Sequence, residues 1–101
     1  MSDGSIRRAP DGRLLLAGEL SFATVPRLWE TSRNLLREDG DLHIDLKDVQ
    51  RSDSAGLALL VEWMRVARQL GKPIEFLNIP AQMLAIARVS SLDQILPLSR
   101  G

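Results

Sequence analysis

The sequence predicts an α/β protein, a sheet with helices packed on it. Three observations lead there. Short apolar runs of strand character are separated by longer runs of helical period. The runs follow one another as strand, strand, helix, strand, helix, strand, helix, the alternation from which a sheet crossed by helices is built. The 101 residues suit one domain, 1–101, and a chain of that length buries roughly 65% of the surface its unfolded form exposes. No repeat, linker or low-complexity segment interrupts the pattern.

Residues 1 to 13 are polar, with a turn signal at Pro10-Asp11-Gly12. Leu14 to Leu20 is an apolar run ending in Gly18-Glu19-Leu20 and reads as a buried strand, with which Ser5 to Ala9 can pair across the turn. From Phe22 to Glu38 the period changes: Val25, Leu28, Trp29, Ser32, Leu35 and Leu36 share one face, and Arg27, Glu30, Arg33 and Arg37 the other. Thr24 is placed to cap this helix, Pro26 fits its first turn and Gly40 marks the stop. Leu42, Ile44 and Leu46 alternate with His43, Asp45 and Lys47 as a strand with one better-buried face. A polar stretch, Lys47 to Asp53, then reads as a loop into a second helix, Ser54 to Leu70, ended by Gly71-Lys72-Pro73. Ile74 to Leu77 is a strand, Asn78-Ile79-Pro80 opens a third helix with Met83, Leu84, Ile86, Ala87 and Ser90 on or near its inner face, and Leu92 to Leu98 is a docked last turn or strand.

Composition removes several functions. Thirteen basic and thirteen acidic residues cancel, and Lys and Arg are dispersed, so nucleic acid and anionic membrane surfaces are poor partners. There is no cysteine, which excludes disulfides, thiolate nucleophiles and cysteine metal sites. No window approaches the roughly 18 uncharged apolar residues a membrane span needs, and Met1-Ser2-Asp3-Gly4-Ser5 leads into no apolar segment. The expectation is a cytoplasmic protein without cofactor or metal.

The second helix is the informative one. At 100° per residue, Val66, Leu59, Leu70, Trp63, Gly56, Ala67, Leu60, Met64 and Leu57 fill an arc of roughly 180°, wider than a surface helix usually shows. Glu62, Gln69, Arg65 and Arg68 hold the remaining side. Within that side Ser54, Ala58, Val61 and Arg65 form a strip that runs small, apolar, charged. Either Ala58 and Val61 are ordinary exposed residues, or the strip is a docking surface on which small side chains let a partner backbone come close. The wheel alone does not choose. Ahead of the strip, a Ser or Asp of Ser52-Asp53-Ser54 can cap the first turn. The positive end of the helix dipole would accommodate a phosphate on Ser54, opposed by Asp53.

The run Ile44-Asp45-Leu46-Lys47-Asp48-Val49 followed by Asp53-Ser54-Ala55-Gly56-Leu57 resembles the signature of STAS domains, a family that includes anti-sigma factor antagonists and the cytoplasmic tails of sulfate transporters. The resemblance implies a mixed sheet of four or five strands with helices mainly on one face, and it implies binding rather than catalysis. Gly18-Glu19-Leu20, Leu28-Trp29-Glu30 and Asp53 to Leu60 are more similar still to the branch that serves Mla-type phospholipid transporters of Gram-negative bacteria. That likeness implies a partner, the ATP-binding-cassette ATPase subunit of such a transporter, contacted through Asp53, Ser54, Ala55, Ala58, Val61 and Arg65, with membrane association only through the complex. Ser54 stands where a Thr is often found, which keeps the oxygen and loses a methyl. In the antagonists the matching hydroxyl is phosphorylated, so an anti-sigma factor antagonist switched at Ser54 is the alternative. Ala55 speaks against it, because that branch usually carries a second hydroxyl there.

The remaining candidates read as structural. His43 is the only histidine, on an alternating strand with no second ligand near in sequence, and Ser54 has no other base to draw on for hydrolysis. Gly56 stands alone rather than in a phosphate-binding loop. Trp63 centres the apolar arc and is placed in the core; Trp29 lies on the inner stripe of the first helix, where core packing is the default and an edge role at the partner contact the alternative. Glu19 and Ser21 end the second strand near where the 51–56 segment emerges, which makes them weaker candidates for the same contact.

Overall fold

The computed structural model describes residues 4–38 and 40–99; the first three residues of the expected polar N-terminus lie outside them. The elements are β1 (Ser5–Arg8), β2 (Leu14–Leu20), α1 (Val25–Arg37), β3 (Leu42–Ser52), α2 (Ser54–Gln69), β4 (Ile74–Leu77), α3 (Ala81–Val89), a 3-10 turn (Leu92–Gln94) and β5 (Leu98–Ser99). They form one five-stranded sheet ordered β1-β2-β3-β4-β5. β1 runs antiparallel to β2, and the other three pairings are parallel. Each parallel connection steps one strand over in the same direction, and right-handed crossovers then set all three helices on one face. α2 lies in the middle, in contact with both α1 and α3.

The core sits between that face and the helices. Leu14, Leu16 and Leu20 of β2, Leu42, Ile44 and Leu46 of β3 and Phe76 of β4 point into it, each at most 2% exposed. Period-2 alternation leaves Leu15, Ala17 and Glu19 half-buried on the opposite face. From α1 come Leu28, Ser32 and Leu36, with Trp29 half-buried beside them, and from α3 Met83 and Ala87. Ser90, expected near the inner face, is exposed, because α3 ends at Val89.

Two polar groups are buried by design of their partners. Trp63 is fully enclosed, and its indole Nε1 donates to Ser32 Oγ at 2.7 Å, which in turn donates to the Trp29 carbonyl at 2.9 Å. This joins α2 to α1 through the one polar atom the tryptophan carries. Asp45, 1% exposed on the far side of β3, is ion-paired to Arg13, accepts from Asn78 Nδ2 at 3.0 Å and accepts from the Lys47 amide at 2.9 Å. A buried carboxylate is tolerable only with such compensation. It pins the start of β2 and the exit of β4 to the central strand.

The sequence reading departs from the structure at the polar stretch Lys47 to Asp53, which is strand up to Ser52 rather than loop. The pairing with β2 shifts register twice, so that β3 carries an extra residue opposite Leu15–Ala17 and another opposite Gly18–Glu19. Gly18 takes φ 89° there, a conformation that excludes most side chains. Each bulge breaks the period of two, and the buried residues of this half-strand, Leu46, Val49 and Ser52, recur every third position instead. Leu70, counted on the apolar arc of α2, is 41% exposed because it is the residue on which the helix closes.

Removing the acceptor of the Trp63 indole should be costly. Ser32→Ala leaves a buried N–H without a partner, and a loss of about 1–3 kcal/mol is expected, read as a lowered urea midpoint with unchanged slope.

Candidate functional site

The end of the sheet where β2 and β3 finish gathers the residues that the sequence singles out. Leu20 pairs with Ser52, and the Asp53 amide donates to the Leu20 carbonyl at 3.0 Å, so β2 and β3 end side by side. Only Asp53 separates the last residue of β3 from the first of α2.

That single residue turns the chain and caps the helix. Asp53 adopts an extended conformation and its Oδ1 accepts from the Ala55 amide at 2.8 Å, while its carbonyl accepts from the Gly56 amide at 3.0 Å. Ser52 is buried, 6% exposed, and its hydroxyl donates to the Asp53 carbonyl at 2.9 Å. Gly56 lies against both. A Cβ there would stand 2.1 Å from Ser52 Oγ and 3.0 Å from Leu20 Cβ. The helix therefore meets the strands at a distance only hydrogen permits.

These contacts separate the two serines and the aspartate that sequence reasoning took together as capping candidates. Asp53 caps, Ser52 fills, and Ser54 does neither. Ser54 is exposed, and its hydroxyl has no hydrogen-bond partner among the described residues. Ala58 and Arg65 are exposed along the same strip, and Val61 is half-buried, packed in part on the core. Arg65 is held by Glu62, Nη1 to Oε1 2.8 Å, an exposed i,i+3 pair of the kind that contributes little to stability. Ala55, expected at the same contact, is placed differently from the strip. Only 6% of it is accessible, because the Asp53 cap turns the first turn of α2 so that Ala55 faces inward with Gly56 and Leu57. Thr24 is a correction. It occupies the cap position of α1, but its Oγ1 accepts from the Ser21 amide at 2.9 Å and donates to the Glu19 carbonyl at 2.7 Å, bracing the preceding loop instead of the helix.

Glu19, Leu20, Ser21, Arg51, Ser52 and Asp53 line a shallow cleft of about 250 Å³ beside Ser54. Arg51 belongs to the 51–56 segment that the sequence singles out; Phe22 is what the sequence reading passed over. Phe22 is 75% exposed on the β2–α1 loop, and the sequence offered no signal for it, since an aromatic residue before a helix reads as packing.

Nothing at this end activates the serine. His43 sits near the start of β3, bonded to Glu75 through Nδ1 at 2.7 Å. Eight residues of strand separate it from Ser52, roughly 23 Å at the usual rise once the two bulges are allowed for. Among the described residues no cluster of three or more His, Cys, Asp or Glu is placed to hold a metal ion, and no helix is long and apolar enough to cross a membrane. What the site offers is a free hydroxyl, small side chains and a rigid backbone.

A mixed five-stranded sheet with its helices on one face, and an Asp-Ser pair at the head of the central helix, define a STAS domain. The family model described as "Mlab, STAS domain" matches residues 6–97, and the chain belongs to this family. Among curated proteins it is similar to the anti-sigma-B factor antagonist of Bacillus subtilis, with 28% identity over 88% of this chain and 82% of that protein. The anti-sigma-B factor antagonist of Staphylococcus aureus is likewise 28% identical, over 85% of this chain and 81% of its own. Among solved structures, the anti-sigma factor antagonist SpoIIAA in its unphosphorylated form superposes with a TM-score of 0.74 at 14% identity, covering 97% of this chain and 87% of that one. An anti-sigma-factor antagonist (STAS) domain protein from Planctomyces limnophilus gives 0.70 at 17% identity, covering 99% and 91%. At these identities the structures speak for the fold.

The close approach at Gly56 is testable. Gly56→Ala should destabilise the domain by about 1–3 kcal/mol through overpacking, and Ser52→Ala in the same chain should recover part of that loss by removing the nearer atom. Thermal melts of the single and double variants measure both.

Proposed function

We propose that this chain is a non-catalytic STAS subunit that docks on the ATP-binding-cassette ATPase of an Mla-type transporter and supports its work in phospholipid trafficking and outer-membrane lipid asymmetry. The observation that carries the reading is the unpartnered Ser54 hydroxyl at the head of an accessible strip, Ser54, Ala58, Val61 and Arg65. The cost of desolvating a hydroxyl in that position is offset when a partner group bonds it, and the small Ser54 and Ala58 side chains let a partner backbone lie close. The description of the matching family model favours the Mla branch, as does Ala55, which carries no hydroxyl. Asp53 contributes by holding the helix start, and Ala55 by filling the space beneath it. ATP chemistry belongs to the partner. The domain works in the cytoplasm and reaches the inner membrane only through its complex.

A second reading is favoured by the 28% identity to anti-sigma-B factor antagonists over most of both chains. In it, Ser54 receives a phosphate and the partner, an anti-sigma factor, lets go. The exposed hydroxyl is accessible to a kinase, and the helix N-terminus stabilises the added charge while Asp53 opposes it.

Co-purification separates the two. Ser54→Arg should abolish complex formation with the transporter ATPase and leave the domain folded, at a cost of about 0.3–1 kcal/mol for a cation at the helix N-terminus. An arginine variant that still holds the ATPase at full occupancy removes the first reading. Stoichiometric phosphate on Ser54 of protein isolated from its own cells, found by mass spectrometry, promotes the second.

A further inference from the structure

We propose that Phe22 is the apolar anchor of the docking surface, inserting into a pocket of the same partner protein that covers Ser54; the inference rests on the docking surface argued above. A single exposed apolar side chain is ordinary on a protein surface. Phe22 differs from that default in three respects.

The loop that presents it is braced. Ser21 accepts from Ala23 through Oγ at 3.2 Å and from Thr24 and Val25 through its carbonyl at 3.1 and 2.9 Å, and Thr24 Oγ1 bridges the Ser21 amide to the Glu19 carbonyl. With the loop backbone held by this many bonds, only the side-chain rotamers of Phe22, a ring with 75% of its surface in water, are left to be ordered when a partner covers it. Phe22 contributes almost nothing to the core, so folding does not account for it.

The loop is also tied to the Ser54 end of the molecule. Leu20 pairs with Ser52 and accepts from the Asp53 amide, and Ser21, the neighbour of Phe22, lines the same cleft as Arg51 and Asp53. Phe22 and Ser54 thus each follow directly on a residue that lines the cleft, Ser21 on one side and Asp53 on the other, which puts both within the reach of one partner surface laid over it.

The cleft between them is charged but unneutralised. Glu19 and Arg51 are register neighbours on β2 and β3, yet neither makes an ion pair among the described residues. With Asp53 the lining carries two carboxylates against one guanidinium. The complement is a protein surface with an apolar pocket of phenyl size, bordered by a basic side chain. An anionic lipid surface is the wrong complement, since the acidic groups would repel it. Aromatic anchors of this kind, central and surrounded by polar contacts, carry a large share of interface energy.

The probes are the purified ATPase subunit of the Mla-type transporter from the same organism and that organism's anti-sigma factor, each titrated with the full chain by biolayer interferometry. Phe22→Ser should weaken binding to whichever protein Ser54→Arg releases, by roughly 10- to 100-fold, with the melting temperature unchanged. Phe22→Trp should retain binding. Val89→Ser, which alters a residue 90% exposed at the far end of α3, should have no effect. If Phe22→Ser binds like the unaltered chain while Ser54→Arg does not, the anchor is refuted and the docking surface stands. If Ser54→Arg binds normally, or neither protein is bound at all, the docking surface itself fails and the anchor with it. Sedimentation with phosphatidylglycerol–phosphatidylethanolamine vesicles that depends on Phe22 would make it a lipid contact and overturn the proposal as well.

Discussion

The passage from β3 to α2 takes one residue, and the rest of the site depends on it. A strand and a helix so closely joined must satisfy the free amides of the first helical turn without a loop's worth of donors and acceptors. Asp53 meets that demand through its carboxylate and its carbonyl together. The geometry works only because Gly56 brings no side chain to the space filled by Ser52 and Leu20. With capping assigned to one neighbour and packing to the other, Ser54 is left with its hydroxyl uncommitted. Its availability follows from what the adjacent residues do.

The frame that holds this junction is stiff for reasons that lie away from it. α2 is fixed against α1 by the Trp63–Ser32 bond inside an apolar surround, where a hydrogen bond is strong and leaving it unmade is expensive. On the other side of the sheet, Asp45 joins three segments at one buried carboxylate. Both arrangements are polar contacts enclosed by packing. Such contacts specify how elements meet, beyond simply drawing them together.

Much of this was legible in the sequence, and what was not has a definite cause. The alternation of Leu42, Ile44 and Leu46 and the helical spacing in α1 and α2 gave the element order, because each element buries one face and the face leaves its period in the chain. Trp63 at the centre of its arc was placed correctly for the same reason. The upper half of β3 was not readable, since two bulges turn its period of two into steps of three, from Leu46 to Val49 to Ser52. Within the site, the wheel found the strip Ser54, Ala58, Val61 and Arg65, but it could not say which of Ser52, Asp53 and Ser54 would cap. That depends on φ and ψ at one residue. Ala55, which the wheel assigned to neither side, lies inside, a matter of how the cap rotates the first turn. Phe22 has no periodic context at all, and its exposure is visible only once the loop around it is built.

The order of the strands in space is also their order along the chain. As the polypeptide leaves the ribosome, each new strand emerges after the neighbour it pairs with, and none must be inserted between two others that have closed together. The growing sheet presents a single advancing margin, covered in turn by the next helix and strand. Synthesis from the N-terminus and assembly of the sheet can thus proceed in the same direction. Among the described residues the margins are the four-residue β1 and the two-residue β5, lengths that give a foreign strand little to pair with.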